Sequence, residues 1–145
     1  MIKKVIILYI IVASILISGC VSIEVPIIKV DITFVEKEGI VEADHYTLTQ
    51  ENISIITRPK KNYAESFPAI AGRVTMFHGK DTVIGPWETL PYNGSGTYTF
   101  NIGFDEGSYP KTNDMVHVTI MVVDKNGDRI GYVVEDIKWK WNKYN

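Results

Sequence analysis

Beyond residue 26, apolar and polar positions alternate with a period of two, and stripes of helical period are scarce. Val30, Ile32 and Phe34 alternate with Lys29, Asp31 and Thr33, which predicts a first strand. Tyr46-Thr47-Leu48-Thr49 and Ile53-Ser54-Ile55 are two weaker strand candidates. Ile70, Val74 and Met76 share one face of a strand interrupted at Gly72. Tyr98, Phe100, Ile102 and Phe104 alternate with Thr97, Thr99, Asn101 and Gly103, the pattern of a half-buried strand. Clusters rich in Gly, Pro, Asn and Asp separate these runs at 58–62, 78–81, 93–96 and 107–110. The stretch 62–67 is the least regular and has room for a helical turn.

The strongest local pattern is a hairpin in which 116–123 and 129–137 flank Asp124-Lys125-Asn126-Gly127-Asp128. Asn-Gly suits the positive φ angles of a two-residue type I′ turn, and such a loop fixes the pairing register. Lys125 then faces Asp128, Asp124 faces Arg129, Met121 faces Tyr132, Ile120 faces Val133, His117 faces Asp136 and Val116 faces Ile137. One face carries Val116, Val118, Ile120, Val122, Val133 and Ile137, continued by Trp139 and Trp141, and is assigned to the core. His117, Thr119, Met121, Tyr132, Asp136, Lys138 and Lys140 form a mixed opposite face. Glu135 falls among the core positions, which calls for a bulge near Val134 and Glu135 or a place at the rim.

Short strands separated by turn clusters predict an all-β antiparallel sandwich over residues 27–145. Gly96-Thr97-Tyr98-Thr99-Phe100, Tyr109-Pro110 and the final strand–Asp-x-x-Gly–strand ending resemble an immunoglobulin or fibronectin type III domain over roughly 45 residues. The resemblance implies an immunoglobulin-like β-sandwich, with a transthyretin-like strand order as the alternative. The disulfide of antibody domains is absent, because Cys20 is the only cysteine.

The amino terminus follows a different pattern. Lys3 and Lys4 precede an apolar stretch at 5–17, and Ser18-Gly19 follow it, the layout of a secretory signal. Thirteen residues at ~1.5 Å each span ~20 Å as a helix, short of a ~30 Å hydrocarbon core. Ile17-Ser18-Gly19-Cys20 resembles the lipobox of prokaryotic lipoproteins. That resemblance implies removal of residues 1–19 and a lipid on Cys20, which places the mature protein at the cell membrane, facing the extracytoplasmic side. Two buried acyl chains give stable anchoring where one is marginal. Residues 20–26 are then expected to be a short tether.

Composition and charge narrow the function classes. Removing 1–19 takes away Lys3 and Lys4, leaving 13 basic against 17 acidic residues and a formal charge of −4. No basic stripe matches a row of phosphates, so nucleic acid is not an expected partner. His45, His78 and His117 lie far apart without metal-ligand spacing, and no Gly-x-Ser-x-Gly elbow occurs. Asp124, Asn126, Asp128 and Glu135 mimic the ligand spacing of a calcium loop, but Arg129 occupies the position that needs glycine. His117 opposite Asp136 reads first as a cross-strand pair and only second as an acid–base dyad. No catalytic group, metal or cofactor is therefore expected, and the chain is not read as an enzyme.

Candidate sites remain outside catalysis. Asn52-Ile53-Ser54 and Asn93-Gly94-Ser95 are sequons that make Asn52 and Asn93 candidate glycosylation sites. Most of the rings of Trp87, Trp139, Trp141, Tyr46, Tyr92, Tyr132 and Tyr144 are expected in the core. Tyr132, Lys138 and Lys140 are the candidate contact surface for a protein or glycan partner. The expected role is a membrane-tethered interaction module, with an accessory subunit of a larger envelope complex as the alternative.

Overall fold

The computed structural model describes residues 23–55, 66–78 and 80–140. The proposed signal, Cys20, the turn at 58–62, Trp141 and Tyr144 lie outside them. The described strands are β1 (Ile23–Lys37), β2 (Ile40–Ile55), β3 (Ala69–His78), β4 (Asp81–Ile84), β5 (Glu88–Pro91), β6 (Gly96–Ile102), β7 (Met115–Val123) and β8 (Arg129–Lys138). They pair antiparallel in a three-stranded sheet of order β2-β1-β6 and a five-stranded sheet of order β4-β3-β7-β8, with β5 also on β3. The chain thus folds as the antiparallel β-sandwich expected from its alternation. The larger sheet follows the C′-C-F-G order of an immunoglobulin-type domain, whereas the smaller one places the first strand at its centre, where such domains place the second.

Alternation explains what lies between the sheets. Ile28, Val30, Ile32 and Phe34 of β1 meet Ile70, Val74 and Met76 of β3 and Val116, Val118, Ile120 and Val122 of β7 in one buried cluster. Each such side chain contributes about 1.5–3 kcal/mol when fully removed from water. Gly72 lies beneath Ile102 and Phe100, so the strand interruption read from the sequence is a point of close sheet-to-sheet contact. Trp139 is 1% exposed and meets Phe104 edge-to-face at 5.4 Å, as expected for a core ring.

Several elements depart from expectation. β1 begins at Ile23, so residues 23–26 of the expected tether are sheet: Val25 pairs with Ile53 and Pro26 with Asn52. β6 pairs with β1 only from Ile28 onward, so among the described strands β1 has β2 as its single neighbour at Pro26, the edge setting in which proline is found. The two weak candidates at 46–49 and 53–55 belong to one 16-residue strand, β2. Its register shifts between Thr33 and Phe34 of β1, with Asp44 as the extra residue, so Tyr46 and Leu48 face inward on one side of the bulge and Val41 and Ala43 on the other. β4 and β5 lie along the same edge of β3, separated by Gly85-Pro86-Trp87, where proline lacks the N–H a continuous strand needs.

The expected register of the last hairpin holds from Val116↔Ile137 to Val122↔Gly131 and then shifts, pairing Val123 with Arg129. The turn is not the two-residue type I′ loop. Gly127 N–H bonds to the Asp124 carbonyl at 3.0 Å, Asp124 N–H bonds to the Asp128 carbonyl, and Gly127 takes φ +86°. This is a type I turn closed by a glycine bulge, and Ile130 is the extra residue that follows. The Asp124 carboxylate accepts the N–H groups of Asn126 and Asp128 at 2.8 and 2.9 Å, so it caps the turn and does not pair with Arg129. Glu135 sits at the rim, where it accepts the Tyr46 hydroxyl at 2.7 Å. It therefore does not join the turn residues as a calcium ligand.

At that rim β8 closes on β2. A Cβ built on Gly131 would stand 2.9 Å from the Val41 carbonyl oxygen and 3.1 Å from its Cβ. β1 rises from Ile23 to Lys37, and the turns at 38–39 and 124–128 mark the upper end. The lower end carries Ile23, the β3–β4 turn and the segment leading into β7. Fifteen residues at ~3.3 Å make β1 roughly 45–50 Å long if fully extended.

Candidate interaction surface

The two outer faces of the sandwich differ in chemistry. Outside the smaller sheet, β1 and β6 present Lys29, Asp31, Thr33, Thr97, Thr99 and Asn101. Thr33 and Thr97 share a hydroxyl hydrogen bond at 2.9 Å, and Thr99 donates to the Asp31 carboxylate. That face is polar from Lys29 upward, whereas the same parity below it carries Ile23, which is exposed, and Val25 and Ile27, which are buried.

Outside the larger sheet, the outward positions of β3, β7 and β8 bring together residues far apart in sequence. Ala71, Met121 and Tyr132 form one cross-strand row, Arg73, Thr119 and Val134 the next, and Thr75, His117 and Asp136 a third. Ile84 of β4 stands beside Thr75. Phe77 and Met115 stand one position beyond the last paired residues of β3 and β7, and Met115 is opposite Lys138. Phe77, Ile84, Met115, Tyr132 and Val134 are exposed, at 56, 52, 46, 52 and 37%. Exposed apolar side chains on an outward sheet face mark a surface suited to contact with another apolar surface.

Several polar groups on this face have partners. His117 Nδ1 lies 2.7 Å from the Asp136 carboxylate, the cross-strand pair the register predicts. The pair stands on an outward sheet face, the ordinary setting of a cross-strand hydrogen bond. Arg129 lies over the Tyr132 ring at 4.7 Å, and Arg73 over the Trp87 ring at 4.5 Å. Among the described residues the buried Arg73 Nε has no hydrogen-bond partner, and the guanidinium stacks on Trp87.

The candidate contact residues divide between two regions. Tyr132 lies toward the upper end of β8 and Lys138 at the lower end, about 20 Å apart along the strand. Lys140 lies beyond β8, where its backbone N–H bonds to Gln50 Oε1 at 3.0 Å. The three therefore do not form one patch. Phe77, Ile84, Met115 and Val134 went unread in the sequence. Their signal was an apolar residue at a position of outward parity.

The sequons occupy different settings. Asn52 is exposed on β2 opposite Pro26, and Asn93 is exposed in the turn before β6. In that turn Asn93 N–H bonds to the Tyr98 hydroxyl, which donates to the Gly94 carbonyl, and Ser95 Oγ accepts the Glu36 N–H. Tyr92 donates to Glu36 at 2.9 Å, and burial with this carboxylate pushes its phenol well above the ordinary tyrosine range. The hydrogen bond to Glu135 likewise raises Tyr46. The bonds of Tyr92 and Ser95 to Glu36 tie the 92–95 turn to β1.

Among the described residues, no three His, Cys, Asp or Glu side chains gather where they would hold a metal ion. No helix among them is long and apolar enough to cross a membrane. No protein-family model, curated protein or solved structure matches this chain.

Proposed function

We propose that this chain is a membrane-tethered interaction module, held on the extracytoplasmic side of the cell membrane by lipid on Cys20, with a protein or glycan as its partner. The observation that carries the reading is Ile17-Ser18-Gly19-Cys20 directly after a basic and then apolar leader. The sandwich supports it with a rigid scaffold that starts three residues after that cysteine. A second reading, an accessory subunit of a larger envelope complex, is favoured by the exposed apolar residues of the outer face, Tyr132 and Val134 among them.

Processing tests the reading. The resemblance to the lipobox makes cleavage depend on the modified cysteine, so the wild type migrates with membranes as a shortened species and Cys20→Ser keeps its full length. Identical processing of both points to an ordinary signal peptide. Retention of full length by both makes residues 5–17 a permanent anchor.

A further inference from the structure

The lower end of the sandwich carries exposed apolar side chains on both of its outer faces: Ile23 at the outward parity of Lys29 in β1, and Phe77 and Met115 at the outward parity of β3 and β7. Gly72 of β3 packs on Ile102, which pairs with Ile28 of β1. β3 descends from that level and reaches Phe77 after five residues, while β1 descends from it to Ile23 after five residues. Phe77 and Ile23 therefore stand at about the same height on opposite sheets, 56 and 58% exposed. Met115, the neighbour of Phe77 across β3 and β7, is 46% exposed. Lys80, in the turn after β3, and Lys138, opposite Met115, are exposed beside them.

The chain itself indicates what these residues meet. Only Val21 and Ser22 separate Cys20 from Ile23, so an anchor at Cys20 holds the start of β1 within about 10 Å of the lipid. Resting on that anchor, we propose that the lower end of the domain docks on the bilayer surface. Ile23, Phe77 and Met115 enter the boundary between headgroups and acyl chains, and Lys80 and Lys138 extend to the phosphates. The upper turns at 38–39, 92–95 and 124–128 then point away from the membrane, and Tyr132 remains available to a partner. Lys138, read from the sequence as part of a partner surface, belongs on this arrangement to the membrane side.

Depth measurement in the lipidated full-length protein tests the proposal. Single cysteines are introduced as Phe77→Cys, Met115→Cys and Lys125→Cys, spin-labelled, and studied in phosphatidylcholine–phosphatidylglycerol nanodiscs by power saturation with oxygen and a water-soluble nickel chelate. All three positions are exposed, and a lipidated Cys20 leaves the new thiol as the label's target. The expected result is an oxygen-to-nickel accessibility ratio several-fold higher at 77 and 115 than at 125. Equal, water-like ratios at all three positions overturn the docking while leaving the anchor intact. Mass measurement of the same samples separates the two claims: an unmodified Cys20 removes the anchor and the docking with it.

Discussion

Replacing Gly131 by alanine perturbs the place where the two sheets come closest at the β2–β8 rim. The new Cβ would lie 2.9 Å from the Val41 carbonyl oxygen, 3.1 Å from Val41 Cβ and 3.3 Å from Cγ1. The first of these atoms is backbone in a strand already paired with β1 through Val41↔Glu36, so it cannot move away without disturbing that ladder. Overpacking of this kind costs about 1–3 kcal/mol. Gly131 is not among the residues with positive φ, so alanine also recovers about 0.4–1 kcal/mol by restricting the unfolded chain. The balance is a loss of about 1–2 kcal/mol. With ~2.1 cal/mol/K per residue of unfolding entropy over a domain of this size, the midpoint falls by about 4–8 °C. Thermal unfolding of the detergent-solubilised protein, followed by circular dichroism, reads the shift. Adding Val41→Ala removes the 3.3 Å contact but leaves the backbone oxygen, so the double variant does not recover. A Gly131→Ala protein as stable as wild type would show slack at this rim and refute the close approach.

Three other outcomes follow from the same geometry. Trp139→Ala empties the largest fully buried side chain among the described residues and removes its contact with Phe104, lowering stability by about 3–5 kcal/mol in urea unfolding. Asp124→Ala strips two turn N–H groups of their acceptor and costs about 1–2 kcal/mol, whereas Asp124→Asn retains an acceptor oxygen and loses less. Tyr46 and Tyr92 have folded-state values raised above 10, so their contribution to stability is complete below pH 10 and falls as pH rises past it. Ultraviolet titration of the phenols is expected to show Tyr92 ionising after the exposed tyrosines, and Tyr92→Phe to weaken the alkaline loss of stability.

The legible parts of the fold were those where one face is buried and alternation is uninterrupted. The β7–β8 register followed from Val116, Val118, Ile120 and Val122 facing Ile137 and Val133, and it held up to Gly131. It failed at the turn because Asn-Gly permits more than one loop. The Asp124 carboxylate favours the three-residue form by accepting two backbone N–H groups. β2 was obscured by physics of another kind: the bulge at Asp44 inverts its parity, and Gln50 and Asn52 occupy positions of inward parity beyond the main core. β4 and β5 escaped notice because four residues each, divided by Pro86, carry too little alternation.

The outer face was the harder case. His117 and Asp136 were recoverable as a cross-strand pair within one hairpin. Phe77 joins Met115 only through the β3–β7 pairing, which brings together residues nearly forty positions apart and leaves no local signature. Tyr132, Lys138 and Lys140 looked like one surface because they share parity, yet the length of β8 separates the first two.

The intact mass of the protein purified from its native membrane tests the lipid on Cys20 most directly. The predicted species begins at Cys20, lacks residues 1–19 and carries the added mass of a thioether-linked lipid. A chain that still begins at Met1, or one that is cleaved but carries an unmodified thiol, would contradict the tether.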